Sequence, residues 1–140
     1  MLNRRYMLRT LAAAAAYAAV RPSPARAQPR TMLARPIPST GELLPVVGLG
    51  SWITFNVGDD PVARDACTEV MRNFVEAGGR MIDSSPMYGS SQEVIGEGLR
   101  RLGSQARVFA ADKVWVTPAS RGPAQIEASR ALWGVPRFDL

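Results

Sequence analysis

Residues 81–99 read MIDSSPMYGSSQEVIGEGL, a stretch that passes from a strand through a polar loop into a helix. We predict the strand over residues 80–83 and the loop over residues 84–89. Ser90 and Glu93 have the spacing of a capping box at the start of the helix. The apolar face of this helix consists of Val94, Ile95, Leu99 and Leu102. A strand followed directly by an amphipathic helix is one unit of an α/β fold.

The same alternation of elements extends toward the N-terminus. We predict that residues 28–40 form a linker or the first arm of a hairpin, with a turn at residues 40–42. An apolar strand over residues 43–50 and a loop over residues 52–59 follow. A helix then begins at Asp60-Pro61, an N-cap followed by proline at the first helical position, and ends at Gly78-Gly79. Its predicted apolar face consists of Val62, Ala66, Val70, Phe74 and Ala77.

Toward the C-terminus we predict a strand over residues 108–116, a helix over residues 123–132 that Gly134 ends, and another strand from residue 138. The near-continuous apolar run of residues 108–116 is typical of a strand that is buried on both faces. Gly96 and Gly98 weaken the central helix by roughly 1 kcal/mol each relative to alanine. We therefore expect a neighbouring element to approach that helix closely at these two positions.

This order of elements predicts a parallel sheet covered by helices, either an open doubly wound sheet or a (β/α)8 barrel. Gly48 and Gly50 do not form a dinucleotide fingerprint, because position 53 is isoleucine and no acid stands where the ribose contact belongs. The chain also has no phosphate-binding Gly-Lys-Ser/Thr loop. A barrel usually needs about 250 residues, so a barrel would be incomplete in 140 residues.

Charge and composition narrow the function classes. The chain has 17 basic and 12 acidic side chains, a formal charge of +5 that alone would suggest a nucleic-acid partner. Five of the basic residues lie in the first 27 positions, where there is no acid, so residues 28–140 carry 12 of each and no nucleic-acid binding is expected. Without histidine, and with Cys67 as the single cysteine, we expect no zinc site, Cys–His nucleophile, intramolecular disulfide or thiolate-held cluster. Cys67 is predicted to pack as a small apolar group.

The first 27 residues have the three parts of an export signal. Arg4 and Arg5 lie in a charged head, residues 11–20 form an apolar run, and Ala25-Arg26-Ala27 is a small-x-small end. The apolar run is about half of the roughly 20 residues that span a bilayer, so no stable membrane span is expected. The paired arginines resemble a twin-arginine signal, which implies the twin-arginine export machinery, cleavage after Ala27 and a periplasmic protein. An uncleaved membrane anchor and a simple N-terminal tail are the alternatives.

Three polar side chains are predicted at the C-terminal ends of strands, where α/β proteins hold their sites. Asp83 ends the central strand, Tyr88 follows in the loop, and Lys113, the only lysine, lies near the end of the next strand. A phenol, with a reference pKa of about 10, is a weak acid at neutral pH, and an adjacent ammonium group favours its ionised form. A carboxylate would hold that ammonium group in place. Equally, these residues could be a turn aspartate, a rim aromatic and a snorkelling lysine.

The stretch 81–99 resembles the signature of the aldo/keto reductases, in which an Asp and a Tyr five residues later lead into the second helix. Lys113 in VFAADKVW is similar to the active-site lysine of this family, and the resemblance extends over about residues 31–140. It implies the N-terminal part of a (β/α)8 barrel, preceded by a β-hairpin that closes its bottom. The family reduces small carbonyl substrates by hydride transfer from NADPH, or sometimes NADH.

The resemblance also assigns roles to individual residues. Tyr88 would be the proton donor, Lys113 would make that donation easier, and Asp83 would pair with the lysine. Gly50, Ser51 and Trp52 resemble the segment that borders the nicotinamide. Together with Asp83 they form the expected cofactor-binding set.

The sequence departs from the family pattern in two places. The fourth catalytic residue of the family, a histidine, belongs about four residues beyond Leu140, and the cofactor loops of later strands have no counterpart here. Asp112 replaces the small hydroxyl residue that usually precedes the lysine, and would be able to compete for the charge of Lys113. We therefore expect the 140-residue chain to be inactive or nearly so. A non-catalytic exported domain that binds a partner through its sheet edge, and a different (β/α)8 enzyme such as an isomerase, are the alternatives.

Overall fold

A computed structural model describes residues 32–103 and 108–140 of the chain. The predicted export signal, with its cleavage site after Ala27, lies outside the described residues. Among the helices that are described, none combines the length and the apolar character needed to cross a bilayer.

The central feature of the structure is a three-stranded parallel sheet. Its strands are β3 (Leu49–Gly50), β4 (Met81–Asp83) and β5 (Phe109–Ala111), in the spatial order β3-β4-β5. Gly50 lies opposite Asp83, and Asp83 lies opposite Ala111. Because the strands are parallel and in register, all three end at the same edge of the sheet. The predicted α/β architecture is confirmed.

Two strands precede the parallel sheet and pair antiparallel with each other. They are β1 (Ala34–Pro36) and β2 (Leu43–Pro45), with Gly41 at φ +72° in the connection between them. Arg80, which directly precedes β4, binds Glu42 at 2.8 Å. This ion pair places the antiparallel pair at the N-terminal end of β4, the end opposite Asp83.

Three helices cover the parallel sheet. They are α1 (Pro61–Glu76), α2 (Ser91–Arg101) and α3 (Gly122–Trp133), the last preceded by a 3₁₀ turn over Ala119–Arg121. The predicted start of α1 is confirmed, because Asp60 Oδ1 accepts hydrogen bonds from the backbone N–H groups of Val62 and Ala63. The predicted end of α3 is also confirmed, with Gly134 in the left-handed region at φ +69°.

The last residues of the chain extend along β5. The Asp139 N–H group donates to the Ala110 carbonyl oxygen at 2.8 Å, and the Asp112 N–H group donates to the Leu140 carbonyl oxygen at 3.0 Å. These bonds lie where the sequence predicts a strand from residue 138, although no regular strand is formed there.

Two strand predictions were wrong in extent. The apolar run of residues 43–50 is divided between β2 and β3, which belong to different sheets. Between them the backbone passes so close to β4 that a Cβ atom on Gly48 would lie 2.6 Å from Met81 Cε. The run of residues 108–116 forms a strand only as far as Ala111, and beyond it the side chain of Trp115 is 64% exposed.

Two helix predictions were also wrong in detail. The buried face of α1 contains Cys67 and Met71, whereas Val62 and Val70 on the predicted face are exposed. Phe74, also on the predicted face, does pack against the core, so the prediction was right at that position and wrong at the valines. The capping box at the start of α2 is absent, since the Ser90 side chain makes no cap hydrogen bond.

The core lies between the sheet and the helices, and its largest fully buried side chains are Trp133, Met71, Ile82, Ile95 and Val94. The predicted close approach at the glycines of α2 is confirmed. A Cβ atom on Gly96 would overlap the carbonyl oxygen of Leu132 in α3, and one on Gly98 would lie 2.6 Å from Met71 Sδ in α1. Gly96 therefore sets how closely α2 and α3 pack, and Gly98 leaves room for the Met71 side chain.

Candidate active site

The candidate site lies at the edge where the three parallel strands end. Gly50 and Asp83 are the last residues of β3 and β4, and Lys113 follows two residues after the end of β5. The sequence separates Asp83 from Lys113 by 30 positions. Parallel pairing of β4 with β5 brings them together, as strand-end side chains in this fold are expected to meet.

Lys113 and Asp83 form a close ion pair. The Lys113 ammonium group donates to both Asp83 carboxylate oxygens at 2.8 Å, and also to the Ser84 carbonyl oxygen at 2.8 Å. All of these acceptors come from one strand end. The side chains of Lys113 and Asp83 are 40% and 41% exposed, so the pair is open to solvent on one side.

Tyr88 and Trp52 lie next to this ion pair. The Lys113 ammonium nitrogen is 5.2 Å from the centroid of the Tyr88 ring, within the range of a cation–π contact. The Trp52 and Tyr88 ring centroids are 6.4 Å apart, with their planes tilted by 44°. The structure thus brings Asp83, Tyr88 and Lys113 together, with an exposed indole beside them.

The surroundings of Lys113 keep its ammonium group charged. Partial burial lowers the pKa of Lys113, but the hydrogen bonds and charge of Asp83, with a smaller effect from Tyr88, outweigh burial, so the pKa is raised above its ordinary value. Because the pKa of Lys113 is raised in the folded protein, the ion pair stabilises the fold fully at any pH below the ordinary pKa of lysine. This stabilisation is lost as the pH rises through the pKa of the folded protein.

The residues of the predicted cofactor segment differ in their access to the site. Gly50 is exposed, and Trp52 is 66% exposed. Ser51 is completely buried, and its hydroxyl group donates to the Asp83 carbonyl oxygen at 2.9 Å. Ser51 therefore supports the backbone that carries Asp83, and its contact with a cofactor stays a prediction.

Asp112 does not form an ion pair with Lys113 in the described structure, so the competition considered from the sequence is not seen. Its Oδ2 atom accepts a hydrogen bond from Gln92 Nε2 at 2.8 Å, and Gln92 Nε2 also donates to Ser129 Oγ at 2.9 Å. Asp112 thereby connects the end of β5 to α2 and α3. Its other carboxylate oxygen is buried without a hydrogen-bond partner among the described residues.

Sequence reasoning missed two contributors to the site. The Ser84 carbonyl oxygen binds Lys113, but a backbone acceptor leaves no signal in the residue types. Asn56 binds Ser90 across the two loops that carry Trp52 and Tyr88. Asn56 and Ser90 are both polar residues in predicted loop or turn positions, but they are 34 positions apart, and the sequence does not indicate that they are in contact.

The single lysine allows a direct test of the ion pair. Selective ¹³C labelling of lysine gives one side-chain NMR signal, whose titration reports the pKa of Lys113. We expect that pKa to lie above the ordinary 10.5 and to fall in an Asp83→Asn variant, because burial then acts without the opposing carboxylate. Asp112→Asn is the matched control, since Asp112 binds Gln92 and not Lys113. An equal fall in both variants would contradict the assignment of Asp83 as the partner.

The fold and site together define a class: a β/α protein whose strand-end edge holds a charged lysine–aspartate pair beside a tyrosine ring. The model of the Aldo/keto reductase family matches residues 46–140. The chain belongs to the aldo/keto reductase family.

Individual relatives agree with this family. The NAD(P)H-dependent D-xylose reductase of Pyricularia oryzae is 30% identical over 104 residues, covering 69% of this chain and 29% of the relative. The methylglyoxal reductase YeaE of Escherichia coli is 33% identical over 101 residues, covering 69% and 34%. The chain thus spans about a third of the length of these curated relatives.

Solved structures show the same fold. An aldo-keto reductase from Klebsiella pneumoniae, crystallised in complex with NADPH, superposes with a TM-score of 0.63 at 22% identity, covering 77% of this chain and 38% of the other. An aldo-keto reductase from Bombyx mori, in complex with NADP, gives a TM-score of 0.57 at 21% identity, covering 77% and 36%. The α/β fold is consistent with part of a TIM barrel.

Proposed function

We propose that this chain carries the proton-donating half of an NAD(P)H-dependent reductase that converts aldehydes or ketones to alcohols. The observation that supports this most is the Lys113–Asp83 ion pair beside the Tyr88 ring. Family membership and the relatives that act on sugars and on methylglyoxal agree with a small carbonyl substrate.

The end of β3 fits a flat ring such as a nicotinamide. A Cβ atom on Gly50 would meet no other atom within 4 Å, so the space beside this backbone is open. Trp52, two residues further along the chain, is 66% exposed and offers an aromatic surface. We assign Gly50, Trp52 and Asp83 to direct contact with NADPH or NADH, and Ser51 to their support.

Each residue of the site has a task in carbonyl reduction. A nicotinamide held by Gly50, Trp52 and Asp83 would supply the hydride for the carbonyl carbon, and negative charge would then develop on the carbonyl oxygen of the substrate. The Tyr88 hydroxyl group donates its proton to that oxygen. The Lys113 ammonium group stabilises the phenolate that Tyr88 becomes, and Asp83 holds the ammonium group charged and in place.

Binding and turnover test this function separately. Titration of the purified chain with NADPH, followed by nucleotide fluorescence, is expected to show saturable binding. Oxidation of NADPH is then measured at 340 nm with an aromatic aldehyde. An absence of binding at millimolar NADPH would contradict the function for this chain and favour a non-catalytic domain that binds a partner.

We also propose that residues 1–27 direct twin-arginine export to the periplasm, where the mature protein begins at Gln28. N-terminal sequencing of the periplasmic protein from a bacterium with this export system tests the proposal. Replacing both Arg4 and Arg5 with lysine is expected to retain the protein in the cytoplasm. A periplasmic protein that begins at Met1 would contradict cleavage.

A further inference from the structure

The loop of residues 52–59, between β3 and α1, is attached to the loop that carries Tyr88. Asn56 Oδ1 accepts hydrogen bonds from the Ser90 N–H group at 3.1 Å and from Ser90 Oγ at 3.3 Å. Ser90 Oγ in turn accepts from the Gly58 N–H group at 2.8 Å. Three hydrogen bonds therefore join the loop that begins at Trp52 to the end of the loop that contains Tyr88.

The backbone around this junction is shaped for the Asn56 side chain. Gly89 has φ +58°, and a Cβ atom there would lie 2.6 Å from Asn56 Cγ. Any larger residue at position 89 would displace Asn56. The close fit shows that the Asn56 side chain occupies a defined position, although the residue lies at the surface.

A second attachment holds the far end of the same loop. Arg64 Nε, on α1, donates to the Gly58 carbonyl oxygen at 2.7 Å. The same guanidinium group binds Asp59 at 2.9 Å and Glu97 of α2 at 2.8 Å. The Arg64 side chain is only 16% exposed, whereas its partner Asp59 is fully exposed, so these bonds connect the loop to both helices at the protein surface.

Ile53 shows why the loop needs these attachments. It has φ +64°, a left-handed conformation that is an outlier for a β-branched residue. Its side chain is 64% exposed, so burial of the side chain does not compensate for the strain. Strained residues persist where the surrounding structure enforces them, commonly at functional sites. The Asn56 N–H group donates to the Ile53 carbonyl oxygen at 3.2 Å, which transmits the Asn56 attachment to Ile53.

We propose that Asn56 is a positioning residue: through Ser90 it holds the strained 52–59 loop so that the Trp52 ring stays beside Tyr88. The contact it controls is the 6.4 Å approach of the two rings. This inference rests on the proposed function only for its catalytic consequence. The positioning itself is a property of the chain without cofactor.

Two-dimensional NMR of the full chain tests the positioning directly. Nuclear Overhauser contacts between the Trp52 and Tyr88 rings, assigned with Trp52→Phe and Tyr88→Leu variants, are expected in the parent. These ring contacts are expected to be lost in Asn56→Ala. They are expected to be kept in Asn56→Asp, because the aspartate retains an oxygen acceptor for the Ser90 N–H group. Asn73→Ala is the matched control, because Asn73 lies exposed on α1 and its substitution should preserve the ring contacts.

Thermal unfolding separates positioning from a general loss of structure. If Asn56→Ala does not fold, Ser90→Ala replaces it, since that variant removes the bridging hydroxyl group and keeps the N–H group. Ring contacts that persist in a folded Asn56→Ala protein, or that weaken equally in Asn73→Ala, would overturn the proposal. The NMR measurement uses no cofactor, so a parent that shows the ring contacts but does not bind NADPH counts against the proposed function alone. In an active enzyme, Asn56→Ala is expected to lower kcat/KM by up to about 100-fold, the cost of a small misplacement at a catalytic site.

Discussion

Replacing Tyr88 with phenylalanine is expected to lower the rate of carbonyl reduction by at least about 100-fold, the usual contribution of a positioned proton donor. The substitution removes only the hydroxyl group. The ring that lies 5.2 Å from Lys113 and 6.4 Å from Trp52 is kept. The measurement is NADPH oxidation at saturating aldehyde, in a longer, active enzyme that contains this chain.

The affinity for NADPH is the internal control of this experiment. Since no role in cofactor binding is assigned to the Tyr88 hydroxyl group, the Kd from nucleotide fluorescence should match that of the parent. Lys113→Met should also lower the rate, because the phenolate then lacks its stabilising charge. A Tyr88→Phe protein that retains more than about a tenth of the parental rate, far above what loss of a general acid permits, would remove Tyr88 from the role of proton donor.

The parts of the site that could be predicted are those that parallel pairing dictates. Asp83 and Lys113 stand at or just beyond the ends of neighbouring parallel strands. Strand ends in such a sheet meet at one edge whatever lies between them in the chain. The ammonium group of Lys113 lies in an apolar run, where it requires a partner of opposite charge. The Lys113–Asp83 ion pair was therefore predictable from the residue types and the order of elements.

The parts that could not be predicted depend on packing between distant residues. Ser90 has the sequence of a capping residue, yet its hydroxyl group binds Asn56 and Gly58, 34 and 32 positions away. The apolar run 43–50 has strand character throughout, but it is divided between β2 and β3, which pair with different strands in different sheets. Local patterns carry no information about such tertiary contacts, which override local preference.

The face of α1 shows the same limit in a different form. Valines at positions 62 and 70 and Cys67 and Met71 give two apolar stripes that are one residue apart. Either stripe has helical periodicity, and the choice between them depends on where α2 lies. The structure buries Cys67 and Met71, with Met71 filling the space beside Gly98. Periodicity therefore identified the helix but not which of these residues it buries.

Replacing Gly96 with alanine is expected to destabilise the fold by roughly 2 kcal/mol, within the usual cost of overpacking. The added Cβ atom would overlap the Leu132 carbonyl oxygen and lie 3.2 Å from Trp133 Cα. Both are backbone atoms of α3, so relief requires the whole helix to shift. The cost exceeds the gain of about 1 kcal/mol that alanine brings to a helix. Urea unfolding followed by circular dichroism measures the difference.

Gly98→Ala provides the matched control, since it makes the same chemical change two residues further along α2. There the added Cβ atom would meet Met71 Sδ at 2.6 Å, part of a flexible thioether side chain that adjusts its rotamer. The gain in helix propensity should then offset most of the cost, leaving stability within about 1 kcal/mol of the parent. In a domain of this size, a change of 1 kcal/mol in the free energy of unfolding shifts Tm by roughly 4–8 °C, so the two variants should differ clearly in Tm. Equal destabilisation of both would mean that backbone contact between α2 and α3 does not set the packing distance.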